Sequence, residues 1–389
     1  MKSIDYEYIE TPSALAQAAR DLCKSNEVAV DLEADSMYHF KEKVCLIQFA
    51  TRSANYVVDP LRLADLTPLK ALFENRDILK IFHGSDYDIR SLYRDFNIEV
   101  NNLFDTELAC RFLGITETGL EATVAHFFNI QLDKRYQKKD WSKRPLPTEM
   151  IDYAARDVVY LLSMRQKLTD RLVRLKRLDW VQEECELLSR VRANSNNQQP
   201  LYLKFKGAGR LDPRTLAVLE NILVMRKALA EKKDRPLFKV LGSHSIVTIA
   251  QQQPTTVKHL QELGAVSTRQ INMYGKKLVA CVNKALALPE GKLPKYPRKK
   301  APSLPGDVPP RVKALQRWRA EKAQSLNMDP GTICNKALLT RIAQQNPDTV
   351  SGLDELEEMK SWQRAALGEE IVSVLSENRV TKRTRGVAS

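Results

Sequence analysis

Glu27-Val-Ala-Val-Asp31-Leu-Glu33 is the stretch whose reading decides the fold of this chain. Val28, Val30 and Leu32 alternate with Ala29, Asp31 and Glu33, the period of a strand that presents one residue set to each face. Asp31 and Glu33 therefore share a face, about 7 Å apart along the strand. Two carboxylates this close, at the end of an otherwise apolar strand, repel each other and lose hydration. Hard divalent cations favour oxygen ligands of this kind. A strand end whose acids simply face water has the same local sequence, so further acids elsewhere must decide between the two.

The chain has 389 residues, long enough for two or three domains. At 43% hydrophobic and 28% charged residues it has a globular rather than a disordered composition. No apolar run reaches the ~18 residues of a membrane span. The first residues lack the apolar core of a signal peptide, so a cytoplasmic protein is expected. The six cysteines stand singly with no Cys-x-x-Cys pair, which points to reduced, mostly buried thiols rather than zinc or disulfides. Lys and Arg number 61 against 48 Asp and Glu, a net charge of +13, which favours a polyanionic partner.

Around the opening stretch, the pattern predicts a helix over 11–25, capped by Thr11 or Ser13, with Leu15, Ala18, Ala19 and Leu22 on one stripe. Strands follow at 27–33, 43–51 and 55–59, joined by connections too short for a crossover helix and hence antiparallel. A helix over 66–75, a strand over 78–82 and a helix over 85–96 come next. The chain then reads helical to about Arg177, with loops near Asn101, Thr116 and 131–146. A meander followed by αβα units predicts a mixed sheet covered by helices on both faces.

The polar run 194–199, ending at Pro200, marks a domain boundary. Beyond it lies a repeat: Ile249–Leu263 recurs as Ile342–Leu356, identical at ten of fifteen positions. Arg226 matches Arg319 and Pro236 matches Pro330. Two copies of one small all-α domain are expected, at 211–290 and 309–378. The segment 291–308 between them, Pro-rich with Lys292, Lys295, Arg298, Lys299 and Lys300, reads as a stiff, extended basic linker, and 379–389 as a basic disordered tail.

Two more acids belong beside Asp31 and Glu33. In His83-Gly-Ser-Asp-Tyr-Asp88 a strand runs into a helix, where Ser85 and Asp88 have the spacing of a capping box and Asp86 competes for any functional role. In the helix after Thr148, Tyr153 and Asp157 are four apart and share a face. Asp157 precedes Val-Val-Tyr-Leu-Leu, apolar surroundings that make an acid costly unless it is paired, with Arg156 or Arg165, or liganded. Asp152 reads as a first-turn acid favouring the helix dipole.

Asp31-x-Glu33, His83-x-x-x-Tyr87-Asp88 and Tyr153-x-x-x-Asp157, in this order, resemble the three motifs of the DEDD exonucleases, and the tyrosine of the third marks the DEDDy branch. The second motif begins with His83 where many relatives carry Asn. Leu132-Asp-Lys-Arg-Tyr-Gln-Lys-Lys-Asp-Trp-Ser-Lys-Arg-Pro-Leu146 is similar to the segment preceding the third motif in the ribonuclease D group. The repeated helical domain resembles the HRDC module shared by RecQ-type helicases and ribonuclease D. The resemblance implies an RNase H-like fold over 1–195 followed by two HRDC-like domains. It also implies two-metal 3′→5′ exonuclease action, with two Mg²⁺ (or Mn²⁺) held by Asp31, Glu33, Asp88 and Asp157, Asp31 bridging, and Tyr153 orienting the attacking water. The implied substrate is RNA with a free 3′ end such as precursor tRNA, released as nucleoside 5′-monophosphates. A DNA exonuclease of the same branch and a non-catalytic nucleic-acid scaffold are the rival readings.

For substrate contact, Lys134, Arg135, Lys138, Lys139, Lys143 and Arg144 form a basic run just before the Tyr153 helix, interleaved with Tyr136 and Trp141. Within it Lys134, Arg135, Gln137, Lys138, Trp141 and Arg144 are expected to touch phosphates or stack on bases, with His39 and Phe40 meeting the terminal nucleotide. Arg226, Lys227, Lys276 and Lys277 would add basic surface on the first helical copy. Removing 197–389 should weaken binding of structured RNA yet leave cleavage of short oligomers.

Overall fold

The computed structural model describes residues 4–192, 199–297 and 304–386. The expected boundary at 194–199 (Gln199 apart) and linker residues Arg298, Lys299 and Lys300 lie outside the described residues. Two compact units emerge, and they do not follow the linear order. One combines the chain up to Ala34, 44–192 and 304–386; the other combines 35–43 with 199–297.

The first unit is built on a six-stranded sheet in the order β1-β4-β3-β2-β5-β6. Its strands are β1 (Glu7–Ile9), β2 (Glu27–Ala34), β3 (Val44–Ala50), β4 (Asn55–Val58), β5 (Leu79–Phe82) and β6 (Leu103–Asp105). β2, β3 and β4 pair antiparallel as their short connections require, whereas β1–β4, β2–β5 and β5–β6 are parallel. The helices are α1 (Pro12–Leu22), α2 (Lys70–Phe73), α3 (Asp86–Phe96), α4 (Thr106–Phe112), α5 (Leu120–Phe128), α6 (Thr148–Val159), α7 (Leu161–Arg174) and α8 (Leu178–Ser189). Thr11 caps α1 by accepting from Ala14 N–H. The stripe Leu15, Ala18, Ala19 and Leu22 is buried with Val28, Val30, Ile47 and Phe49. The other face of β3 and β4, with Leu46 and Val57, packs with Trp141 and with Met150, Ala154 and Ala155 of α6.

Several expectations are revised. β1 and β6 are three-residue strands, too short to show a period, and β6 lies in a stretch expected to be helical. The helix predicted over 66–75 shrinks to a 3₁₀ turn at Thr67–Leu69 followed by α2. Helix continues past Arg177 as α8. Strand β5 carries a fully buried Lys80, whose ammonium donates to Asn75 O (2.5 Å) and Ile78 O (2.7 Å), while burial lowers its pKa to about 8.

In the second unit, α9 (Pro213–Lys232), α10 (Leu237–Val240), α11 (Ser243–Gln252), α12 (Val257–Glu262) and α13 (Thr268–Leu286) surround a core that includes Leu216, Leu219 and Leu223. The repeated copy, α14 (Val308–Leu326), α15 (Pro330–Ile333), α16 (Lys336–Gln345) and α17 (Ser361–Gly386), belongs to the first unit. The duplication is visible in detail. α11 and α16 both end in a left-handed residue, Gln253 (φ 47°) and Asn346 (φ 51°), whose N–H bonds back to Ile249 O and Ile342 O. Arg226 donates to Leu241 O (3.2 Å) and Arg319 to Cys334 O (2.7 Å). Arg226, expected at the surface, is thus an internal brace: its charge is partly desolvated and its pKa lowered.

The second copy is joined to the sheet domain by specific contacts. Trp362 stacks on Trp180 (centroids 4.7 Å, 22°) and meets Phe112 edge-on at 5.5 Å. Glu183 accepts from the N–H groups of Ser361 (2.7 Å) and Trp362 (2.8 Å), satisfying orphan donors at the start of α17. Arg177 donates to Phe112 O (2.8 Å) and Leu326 O (2.9 Å). The linker is less free than its composition implies, since Tyr296 packs on Tyr202 (6.2 Å) and donates to Leu203 O (3.3 Å). Much of the segment expected to be a disordered tail continues α17 to Gly386; no Gly or Pro interrupts it between Gly368 and Gly386. All six cysteines are free, and no helix among the described residues is long and apolar enough to cross a membrane.

Candidate active site

Asp31 and Glu33 sit on β2 beyond the point where its ladder to β5 ends, the last pair being Ala29–Ile81. Asp88 comes from the first turn of α3. The entry to that helix is fixed from β6: Asp105 accepts from Gly84 N–H (3.0 Å), Ser85 N–H (2.7 Å) and the Ser85 hydroxyl (2.9 Å). Gly84 has φ +74°, and a Cβ there would come within 2.7 Å of Glu107 Oε2, so glycine is required. The Ser85/Asp88 capping box does not form, because the Ser85 hydroxyl is bonded to Asp105 instead. Asp88 is left buried at 7% exposure, while its competitor Asp86 lies at the surface in an ion pair with Arg90 (2.8 Å). Asp157 and Tyr153 come from α6, whose buried stripe Met150, Ala154, Ala155 and Val158 holds it to the sheet. Arg165 is paired with Glu27 rather than with Asp157.

The tertiary fold brings these distant residues together. A cavity of about 400 Å³ is lined by Asp31, Glu33, His83, Tyr153 and Asp157, with Lys134 and Gln137 at its wall. Asp88 is not part of that lining but acts electrostatically on Glu33, and Asp31 acts on Asp88. Burial pushes the Asp31 carboxyl up to about 7. Glu33, Asp88 and Asp157 are driven well above the usual carboxylate range, first by burial and then by the charge of neighbouring acids. Arg156 offsets this in part at Asp157. Burial also raises Tyr153, as do the fields of Asp157, Glu33 and Asp31.

The donor set fits a divalent ion: four oxygen-bearing, largely desolvated carboxylates whose mutual repulsion a dication would relieve. Among the described residues no three His, Cys, Asp or Glu side chains are already gathered as a metal-holding group.

The expected substrate contacts divide. Lys134, ion-paired with Glu121, and Gln137 line the cavity. Arg135 is exposed beside it, bonded to Asp133 (2.6 Å) and lying 5.7 Å over the Tyr136 ring, and Lys138 is exposed as well. Trp141 and Arg144 are corrections. Trp141 is 1% exposed and packs on Tyr153 at 6.1 Å, so no base can stack on it. Arg144 forms a bidentate pair with buried Asp59 (2.5 and 2.7 Å) and donates to Cys45 O (2.8 Å), so its charge is already matched. His39 and Phe40 belong to the second unit, where Asp234 holds the His39 ring (2.7 Å) and the Phe40 N–H (3.1 Å) while the Phe40 ring packs on that unit's core.

Sequence reading missed Asp105, which orients the Asp88 turn, and Gln48, which pairs in register with Asp31. Gln48 left a signal, since it is the lone polar residue in Val44–Ala50.

A family model described as 3′-5′ exonuclease matches residues 6–173, and one described as HRDC domain matches 215–282 and 309–375. Ribonuclease D of Sphingobium indicum is 30% identical over 74% of each chain, and that of Desulfotalea psychrophila is 29% identical over 86% of this chain and 90% of its own. The crystal structure of Escherichia coli RNase D, described as an exoribonuclease involved in structured RNA processing, superposes with a TM-score of 0.71 over 96% of this chain and 99% of its own; at 24% identity that likeness speaks for the fold. The sheet and the helical repeat agree with these matches, and the chain belongs to the ribonuclease D family.

Proposed function

We propose that this metal-dependent 3′–5′ exoribonuclease uses two divalent ions, Mg²⁺ by preference, to trim the 3′ ends of precursor tRNA and other structured RNA, releasing nucleoside 5′-monophosphates. The observation that carries this reading is the cavity that Asp31, Glu33, Tyr153 and Asp157 line together, with the charge of the buried Asp88 acting on it. The ions, when bound, supply activation of the attacking water and stabilisation of the leaving 3′ oxygen. The residues supply the rest. Asp31, Glu33 and Asp157 would offer the main donor oxygens, and Asp88, outside the cavity lining, would act through water. Tyr153 remains a neutral phenol, because burial and four neighbouring carboxylates (Asp157, Glu33, Asp31 and Asp133) all oppose its ionisation. It therefore serves as a hydrogen-bonding group that orients the water, not as the base. Lys134 and Gln137 line the cavity wall and Arg135 and Lys138 are exposed beside it, which supports their meeting the terminal phosphates. The six free cysteines suit a reducing, cytoplasmic setting.

The test is incubation of 5′-labelled RNA and DNA of one sequence with Mg²⁺, Mn²⁺ or EDTA. A metal-dependent ladder shortening from the 3′ end of RNA is expected. Preferential shortening of DNA would transfer the assignment to a DNA exonuclease, and no shortening in any metal would leave a nucleic-acid-binding scaffold.

A further inference from the structure

Gln48 lies near the middle of β3, fully buried, and neither its side-chain oxygen nor its nitrogen has a hydrogen-bond partner. A buried, unsatisfied amide is costly and calls for a reason. Its cross-strand neighbours narrow the possibilities. On one side the register places it opposite Val57 of β4, which has no polar side-chain atom. On the other side it stands opposite Asp31 of β2. Directly opposed residues project from the same face with Cβ atoms about 5 Å apart, within reach of a glutamine amide. Its same-strand neighbours Leu46 and Ala50 and the diagonal Ala29 are apolar, and the other β2 diagonal is Glu33 of the motif. The β4 diagonals Asn55 and Asp59 are bonded elsewhere, Asn55 to Asp5 O and Asp59 to Tyr8, Arg144 and Leu61 N–H. At the level of Asp31 the ladder to β5 has already ended, so β3 is the paired strand there.

We propose that Gln48 is the positioning residue for Asp31: its side-chain amide donates to one Asp31 carboxylate oxygen, and so fixes the rotamer in which the other oxygen would be offered to a bound divalent ion. The inference rests on the metal-dependent reading of the site above. It accounts for the orphaned amide as a donor held ready for the carboxylate of the residue directly opposite. Outer hydrogen bonds of this kind commonly change metal affinity or activity by 10- to 100-fold.

The test compares wild type with Gln48→Met, close in shape but without the donor, and with Gln48→Asn, which keeps an amide one methylene shorter. Mn²⁺ binding is measured by calorimetric titration, and RNA turnover is resolved into kcat and KM. The expected result for Gln48→Met is at least about tenfold weaker Mn²⁺ binding and a lower kcat with KM unchanged. Its EDTA-treated form should melt no lower than wild type, because an unsatisfied polar group has been removed. Gln48→Asn should fall between the two. Wild-type Mn²⁺ affinity and kcat in a folded Gln48→Met protein would overturn the inference, as would a loss of stability in EDTA with metal binding intact, which marks a packing role. Should Gln48→Met fail to fold, Gln48→Asn decides by the same two measurements. Failure of wild type itself to degrade RNA with any divalent ion would overturn the functional reading instead.

Discussion

Asp31 shows how a single residue acquires chemistry from its surroundings. In a peptide its carboxyl would ionise near pH 4; here burial moves it to about 7. Such a group binds more protons folded than unfolded, so the stability associated with it is fully present below about pH 4 and is lost as pH rises through about 7. In EDTA, the protein is therefore expected to melt at a lower temperature at pH 8 than at pH 5.5. Asp31→Asn should shrink that difference, and added Mg²⁺ should restore stability at pH 8; scanning calorimetry reads both. A pH-independent difference between Asp31→Asn and wild type would contradict the burial of that charge. Catalytically, Asp31→Asn or Asp157→Asn is expected to abolish metal-dependent digestion while RNA binding, followed by filter retention, stays within about twofold. Tyr153→Phe should lower kcat by roughly 10²-fold with little change in KM, the usual order for a lost hydrogen-bonding partner in proton transfer.

At the level of elements, the segment between α5 and α6 combines two roles that its composition does not separate. Lys134, Arg135 and Lys138 stay outward, whereas Trp141 and Arg144 anchor the segment to the sheet. Arg144 is balanced by Asp59, which also accepts from the Tyr8 hydroxyl (2.6 Å) and Leu61 N–H (3.0 Å). Arg144→Ala should therefore cost about 3–5 kcal/mol of stability, the usual penalty for stranding a buried charge, rather than RNA affinity. Urea unfolding and RNA binding measured on the same preparation separate these outcomes. Lys134→Ala should do the reverse, weakening RNA binding and reducing its salt dependence while the unfolding midpoint barely moves.

For the whole molecule, the two helical copies have parted company despite their common origin. The second shares a core with the sheet domain through Trp180, Trp362 and Phe112, and Glu183 satisfies the first turn of its last helix. Cutting the chain at 197 would thus strip a packed surface from the nuclease, and the expectation that such a fragment keeps its short-oligomer activity is revised. Trp362→Ala is expected to destabilise the first unit by about 3–5 kcal/mol, the usual cost of deleting a buried tryptophan. Limited proteolysis would show this as faster cleavage within 44–192. Resistance equal to wild type would mean that the second copy and the sheet domain are independent after all.

The period of Glu27–Glu33, the Tyr153–Asp157 spacing and the duplicated Ile-Ala-Gln-Gln segment were legible because each is a local regularity, set by strand pitch, helix pitch or repetition. They sufficed for the mixed sheet and the helical pair, and they singled out the four acids. What they could not carry was any choice between chemically equivalent neighbours. Asp88 rather than Asp86 faces the acids because Asp105, from a strand too short to announce itself, holds the Ser85 hydroxyl. Arg144 serves the fold and Lys134 the cavity because only one of them lies over the buried Asp59. Lys80 is tolerated inside an apolar strand because the Asn75 and Ile78 carbonyls accept from its ammonium, and what the buried Gln48 amide faces depends on which strand is laid beside it. Periodicity is written in neighbouring residues, but burial and pairing depend on which distant residues arrive, and only tertiary packing decides that.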